Sequence, residues 1–370
     1  LREANIPGLT SVRFFAAIWV VLFHLLRSWS AVARVGGFLK FGYSGVSFFF
    51  VLSGFILSVN YLQREFAPRD FWIARIARIL PAYLVALAVV LPFTILAGHK
   101  TGTPFFPTAL PPLFLLQAWI PKTALFWNSP GWSLSCEAFF YLLFPMLLVP
   151  AAKVFRRHFA VMFVAMWILS AVPVLWYAMV HPEGFVDDTT SQQTLLSIVK
   201  FNPLFRLPEF LLGIGLGVLY LDGMRVPKPR TVALICVGSL LAIFGVLANI
   251  SYPAFHNGFL APIYGLLILA LASSPNTLNR PVLVLLGEAS YSLYLFHVPV
   301  YYWCAAAAKR LGWDHNSAFY VGYLVLAVLA SIVSYKLIEV PGRIFIRSRF
   351  ANNKRSKQLD ALPSTSPTSS

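Results

Sequence analysis

An arginine and a histidine, Arg13 and His24, sit inside the first long apolar run, SVRFFAAIWVVLFHLL. An ionisable group in hydrocarbon costs on the order of 2.5–3.5 kcal/mol on insertion scales, so each needs a partner or a function. Eleven positions apart on a helix, they are separated by roughly 16 Å along the axis and about 1100° around it, which returns them to nearly one face. That face offers a cation for an anionic ligand and, further along, a proton acceptor. Snorkelling to the headgroups would also account for Arg13, and hydrogen-bonded packing between helices for His24; the residues alone leave these readings open.

A second pair of cations opens the third apolar segment, FWIARIARILPAY, where Arg75 and Arg78 are three apart and share a helix face. Two guanidiniums side by side suit a phosphorylated ligand, because each binds phosphate through paired donors; plain anchoring at the cytoplasmic interface is the competing reading. Glu137 follows Pro130 and Gly131 by about seven residues, which places it roughly 10 Å inside the non-cytoplasmic face if the helix starts there. His24 is expected at similar depth, and Glu209 in RLPEFLLG near the same level. A carboxylate beside a histidine orients the ring and raises its basicity, so His24 with Glu137 or Glu209 is the candidate base pair. His297, in SYSLYLFHVPV, falls mid-segment. Each of these acids and His297 could equally belong to a buried structural network. No serine nucleophile elbow, metal-binding HxxxH or paired-aspartate spacing is present, so no metal site is expected.

The elements that must position these groups are transmembrane helices. Of 370 residues, 58% are hydrophobic and 11% charged, far below the roughly 25% charge a soluble domain carries. Ten apolar runs reach spanning length: 9–29, 43–62, 72–97, 131–151, 158–180, 203–221, 231–249, 254–273, 289–308 and 318–338. The expected fold is an all-α polytopic bundle of about ten spans. Pro111–Ile120 is apolar but short, and reads as a re-entrant or interfacial segment. The 29 basic residues outnumber the 13 acidic ones, and they collect on one side, at Arg64, Arg69, Arg156, Arg157, Arg225, Arg230 and from Arg343 onward. Lys100, Lys122, Lys200, Arg206, Lys309 and Arg310 fall on the other. That bias predicts both termini in the cytoplasm, with the polar loop Glu183–Gln193 opposite. No basic stripe on a reader module points to nucleic acid. The three cysteines, Cys136, Cys236 and Cys304, lie in apolar segments with neither metal nor disulfide spacing. Arg13 and His24, with no small-residue cleavage site following, argue against a cleaved signal peptide. Gly213 and Gly217 form a small-xxx-small pair, the pattern of close helix packing.

Together these segments resemble a known family. RFFAAIWVVLFH looks like the Arg-x10-His signature of the acyltransferase-3 group of integral membrane O-acyltransferases. FFFVLSGFILS, RIARILPAY, WSLSCEAFFYLLFP and SYSLYLFHVPV are similar to its further blocks, in order. The resemblance implies a membrane domain over 1–345, followed by a disordered polar cytoplasmic tail at 346–370. It implies an integral protein of a bacterial cytoplasmic (inner) membrane, with no bound cofactor, that moves an acyl group, acetyl above all, from cytoplasmic acyl-CoA to a hydroxyl acceptor on the far side. Similar stand-alone members O-acetylate surface or exported polysaccharide, which makes a glycan the expected acceptor and polysaccharide-assembly proteins possible partners. With a short tail in place of an added esterase-like domain, the chain is expected to transfer directly or to hand over to a partner.

By the same resemblance His24 is the general base and Glu137 a catalytic-pocket residue. Arg13, Arg75 and Arg78 hold the donor phosphates, and Trp132, Ser133, Tyr141, Glu209 and His297 line the pocket. The alternative from the residues alone is a proton-coupled transporter whose buried His and Glu relay protons, although no matching pair of interrupted helices marks inverted repeats. A purely structural or receptor-like protein leaves the deep charges without a role.

Overall fold

The computed structural model describes residues 6–25, 29, 37–181, 190–246, 253–274 and 277–359. Within these the chain is helical without strands. The main helices are α1 (Pro7–Leu25), α2 (Gly45–Tyr61), α3 (Pro68–Thr101), α4 (Trp132–Val180), α5 (Thr190–Phe201), α6 (Pro203–Leu221), α7 (Pro229–Val246), α8 (Ala261–Ala272), α9 (Pro281–Glu288), α10 (Ser290–Leu311), α11 (Ser317–Ser334) and α12 (Val340–Leu359). Among the described residues seven stretches are long and apolar enough to cross a membrane, or eight if α9 and α10, bent by 59°, form one broken span.

Two features explain why this count departs from ten. α4 runs for 49 residues, about 74 Å at helical rise, and its backbone leaves helical geometry at His158 (φ −135°, ψ 44°); the break falls on the first residue of the run expected at 158–180. The run expected at 254–273 is a helix of only 12 residues, Ala261–Ala272, preceded by turns, and 12 residues cover about 18 Å, too little to span alone. At the break in α4, Arg156 donates two hydrogen bonds to Asp222 beyond the end of α6, at 2.9 and 2.7 Å. Those bonds hold the Asp222 carboxyl below its usual range.

The outward faces are apolar. Leu96, Met146, Val161, Leu234 and Val325 are all exposed, the arrangement a lipid surface stabilises and water does not. Inside, α2 crosses α6 at backbone contact. A methyl group added at Gly54 would strike the Phe210 carbonyl, one at Gly213 the Val51 carbonyl, and one at Gly217 the Ser58 side chain. The Gly213/Gly217 pair therefore serves close packing. Phe140 and Phe144 of α4 pack on Phe210 from the other side, with ring centres 5.0 and 6.1 Å apart.

At the C-terminal end a wide π turn, Tyr335–Glu339, joins α11 to α12. The helix carries the backbone into the stretch read as a polar tail, as far as Leu359. Residues 360–370 of that tail, and 182–189 of the polar loop expected at Glu183–Gln193, lie outside the described residues.

Candidate active site

A cavity of about 330 Å³ opens among α1, α2, α3, α4, α10 and α12. Arg13 enters it from α1, Arg75 and Arg78 from α3, and Arg343 and Arg347 from α12. Their spacing explains the convergence: positions three and four apart share a helix face, so each of α3 and α12 presents two guanidiniums to one space. Arg75 lies 5.7 Å from the Phe71 ring and 5.9 Å from the Tyr141 ring, and Arg78 5.5 Å from that of Tyr291. Arg78 is ion-paired with Glu339, which is fully buried and also accepts a 3.2 Å hydrogen bond from Ser292; Arg343 stands 3.9 Å from the same carboxylate.

Glu137 belongs to this arginine cluster. It lines the same cavity as Arg13, Arg75 and Arg78, and it accepts a 3.3 Å hydrogen bond from the Tyr141 hydroxyl. The expectation that Glu137 stands beside His24 is therefore corrected. α4 begins well inside the bundle rather than at its far face. Asn128 donates to the Leu295 carbonyl at 3.0 Å, and the Tyr294 hydroxyl donates to the Pro130 carbonyl at 3.1 Å and lies 2.8 Å from Ser133 Oγ. Tyr294 and Leu295 are near the middle of the α9–α10 pair. Upstream, Gln117 donates to the Gly131 carbonyl at 2.6 Å and Tyr83 to the Pro112 carbonyl at 2.7 Å. The segment read as re-entrant thus folds in among the helices, with Pro112, Gln117 and Ala118 buried. Five residues beyond Trp132 along the helix, Glu137 sits about 8 Å deeper, at the level of Arg13.

His24 lies outside the cavity lining, toward the other end of α1. Its Nδ1 is 2.8 Å from the Val20 carbonyl, and its ring centre is 4.9 Å from that of His297. Neither Glu137 nor Glu209 touches it. Glu209 is instead paired at 2.9 Å with Arg206, both fully buried. Arg206 also donates to the His256 carbonyl at 2.7 Å, Asn257 Oδ1 at 2.5 Å and Ser47 Oγ at 3.1 Å. Lys200 and Arg206, counted from sequence among the cations of the far side, are 5% and 0% exposed and are buried in the core. Glu209 shares a helix face with Arg206 three positions earlier and is paired with it rather than with His24.

Of the pocket residues expected from sequence, Ser133 and Tyr141 line the cavity. Trp132 turns to the opposite side, 4.8 Å from the Phe201 ring and 5.6 Å from that of His256. His297 stands behind Tyr294, with ring centres 6.2 Å apart. Sequence reasoning passed over Glu339, although a glutamate in the apolar run SIVSYKLIEV carried the same signal as Glu137. Arg343 and Arg347, counted from sequence only among the cations of the cytoplasmic side, line the cavity as well.

The family description of an acyltransferase domain matches residues 6–336. The chain is 32% identical over 353 residues to the acyltransferase MdmB of Streptomyces mycarofaciens, covering 89% of this chain and 88% of that protein. It is 27% identical over 366 residues to the O-acetyltransferase OatA of Staphylococcus aureus (strain NCTC 8325 / PS 47), covering 91% of this chain and 57% of that protein. The chain thus spans little more than half the length of the Staphylococcus relatives it matches. No solved structure matches it.

Proposed function

The chain belongs to the acyltransferase-3 family, and from that premise we propose that it transfers an acetyl group from cytoplasmic acetyl-CoA to a hydroxyl of an extracytoplasmic or lipid-linked glycan. The observation that carries this reading is the placement of five arginines, Arg13, Arg75, Arg78, Arg343 and Arg347, around one cavity, with Arg13 on the α1 face that presents His24 about 16 Å further along. Coenzyme A carries a diphosphate and a 3′-phosphate at one end and its thioester at the far end of an extended arm. The arginines suit the phosphates, the aromatic rings of Tyr141 and Tyr291 suit the adenine, and the arm runs toward Tyr294 and Ser133.

In this reading His24 is the general base. Its Nδ1 faces a carbonyl, which can only accept, so Nδ1 carries the hydrogen and Nε2 presents a lone pair. Nε2 takes the proton of the acceptor hydroxyl as its oxygen bonds to the thioester carbonyl carbon. The C–S bond then breaks, and the proton passes from His24 to the leaving thiolate. Glu137 holds Arg13 and its neighbours in place. Basic loops on the side of the arginine cavity support an orientation with that side and both termini in the cytoplasm, and the membrane of this reading is a bacterial inner membrane. Polysaccharide-assembly proteins would supply the acceptor.

The alternative of a proton-coupled transporter, with buried His and Glu as relay, predicts movement of label without group transfer. Purified protein in lipid nanodiscs, given labelled acetyl-CoA and a glycan acceptor, should release one free CoA for each acetyl ester formed. Label crossing the bilayer without release of CoA would overturn the transferase reading.

A further inference from the structure

The arginine cavity has two chemically different ends. At one stand the guanidiniums. At the other it stops at Val46 in the first turn of α2, Ser133 in the first turn of α4 and Tyr294 of α10. Ser133 and Tyr294 are 5% and 7% exposed, so each keeps a little surface within the bundle. Their hydroxyls form a triangle with the Pro130 carbonyl: Ser133 Oγ is 2.8 Å from Tyr294 Oη, and each is 3.1 Å from the carbonyl oxygen. Two hydrogens serve three contacts, so one contact is always without a hydrogen. Ser133 can satisfy the carbonyl alone, which lets Tyr294 turn its hydrogen to another acceptor without stranding a buried group. The other tyrosines of the cavity have no such latitude. Tyr141 donates to Glu137 at 3.3 Å, Tyr291 to the Ile79 carbonyl at 2.9 Å and Tyr335 to Glu288 at 2.8 Å. α4 begins at Trp132 with no side chain capping its first turn, so the positive end of a long helix lies beside the Ser133 and Tyr294 hydroxyls.

A donor that can re-aim, next to a helix N-terminus in an apolar bundle, suits negative charge developing on an oxygen. We propose that Tyr294 is a catalytic residue of the transfer: its hydroxyl donates to the thioester carbonyl oxygen as that oxygen becomes an oxyanion, while Ser133 is the positioning residue that keeps the Pro130 carbonyl satisfied. The acceptor oxygen bonds to the carbonyl carbon as His24 takes its proton, and an electron pair of the C=O bond moves onto oxygen. Tyr294 holds it there until the pair returns and the C–S bond breaks. Tyr294 gives up no proton, so the balance of the reaction is unchanged. Ring centres step from Tyr294 to His297 at 6.2 Å and from His297 to His24 at 4.9 Å, so one side chain separates the donor from the base. This inference rests on the transferase reading and adds to it the group that stabilises the tetrahedral intermediate.

The test measures kcat and KM for acetyl-CoA in nanodiscs, together with binding of a non-hydrolysable acetyl-CoA analogue. Tyr294→Phe keeps the ring and removes the donor. It should lose about 100-fold in kcat and bind the analogue within threefold of the parent, because the oxyanion exists only along the reaction. Ser133→Ala should lose about tenfold in kcat, and Ser133→Thr, which keeps the hydroxyl, should recover it. A kcat for Tyr294→Phe within threefold of the parent overturns the proposal. So does a loss of analogue binding that matches the loss of rate, which would make Tyr294 a wall of the donor site. If Tyr294→Phe yields no folded protein by size-exclusion chromatography, the Ser133 variants decide, and equal rates for Ser133→Ala and Ser133→Thr overturn the proposal. A parent that releases no CoA fells the transferase reading itself; an active parent with an unimpaired Tyr294→Phe strikes this role alone.

Discussion

The guanidinium of Arg78 is ion-paired with the carboxylate of Glu339, joining α3 to the π turn at the head of α12. Arg78 lines the arginine cavity and Glu339 holds it from the turn, which gives that wide turn a function: one extra residue in the helical repeat re-aims a side chain, here a glutamate with no exposed surface. Glu339→Ala should lower stability by about 3 kcal/mol, the cost of leaving a buried charge without its partner. The midpoint of an SDS unfolding titration would show it, and Arg78→Ala combined with Glu339→Ala should recover part of the loss.

The donor-binding assignment makes a kinetic prediction. Losing a charge-assisted hydrogen bond to phosphate costs about 1.5–3 kcal/mol, so Arg75→Ala should raise KM for acetyl-CoA roughly tenfold or more with a smaller change in kcat. Steady-state kinetics across a range of ionic strength would measure it. The same variant should leave transfer less sensitive to salt.

Glu137 faces the arginines, so its replacement separates two roles. Glu137→Gln removes an anion from a site built for an anionic donor. It should lower KM for acetyl-CoA by about two- to fivefold, as expected for one partly screened charge, and hold kcat within threefold. A hundredfold loss of kcat at constant KM would return Glu137 to the chemistry.

The crossing of α2 and α6 sets the frame on which the cavity is built. At Gly54 and Gly213 the opposing backbones leave no room for a methyl group, so Gly54→Val should prevent the helices from closing. Overpacking of a rigid contact costs about 1–3 kcal/mol, more where backbone must move. Folded yield in detergent is the measurement, and Gly238→Ala, where nothing lies within 4 Å, is the matched control.

Much of this site was legible in sequence, for identifiable reasons. Arg13, Arg75, Arg78, Glu137, Ser133 and Tyr141 all reach the cavity; charges inside apolar runs are rare enough to announce themselves. The Gly213/Gly217 packing followed from spacing alone. Depth was the weak link. Counting from Pro130 fixes where α4 starts along the chain, but its start in the bundle depends on Asn128, Gln117 and Tyr294 drawing the preceding segment inward. Polar residues in an otherwise apolar approach were the only sign of it. The burial of Arg206 was not legible because His256 and Asn257, about 50 residues away in sequence, meet it only in the folded protein.

The central claim is that His24 is the base of an acetyl-CoA-dependent transfer, and His24→Ala in nanodiscs tests it most directly. Free CoA and acetyl ester are measured together, with binding of a non-hydrolysable acetyl-CoA analogue as the check on fold. The variant should bind the analogue with the affinity of the parent and lose at least 100-fold in transfer. Transfer at the parental rate by folded His24→Ala would contradict the account.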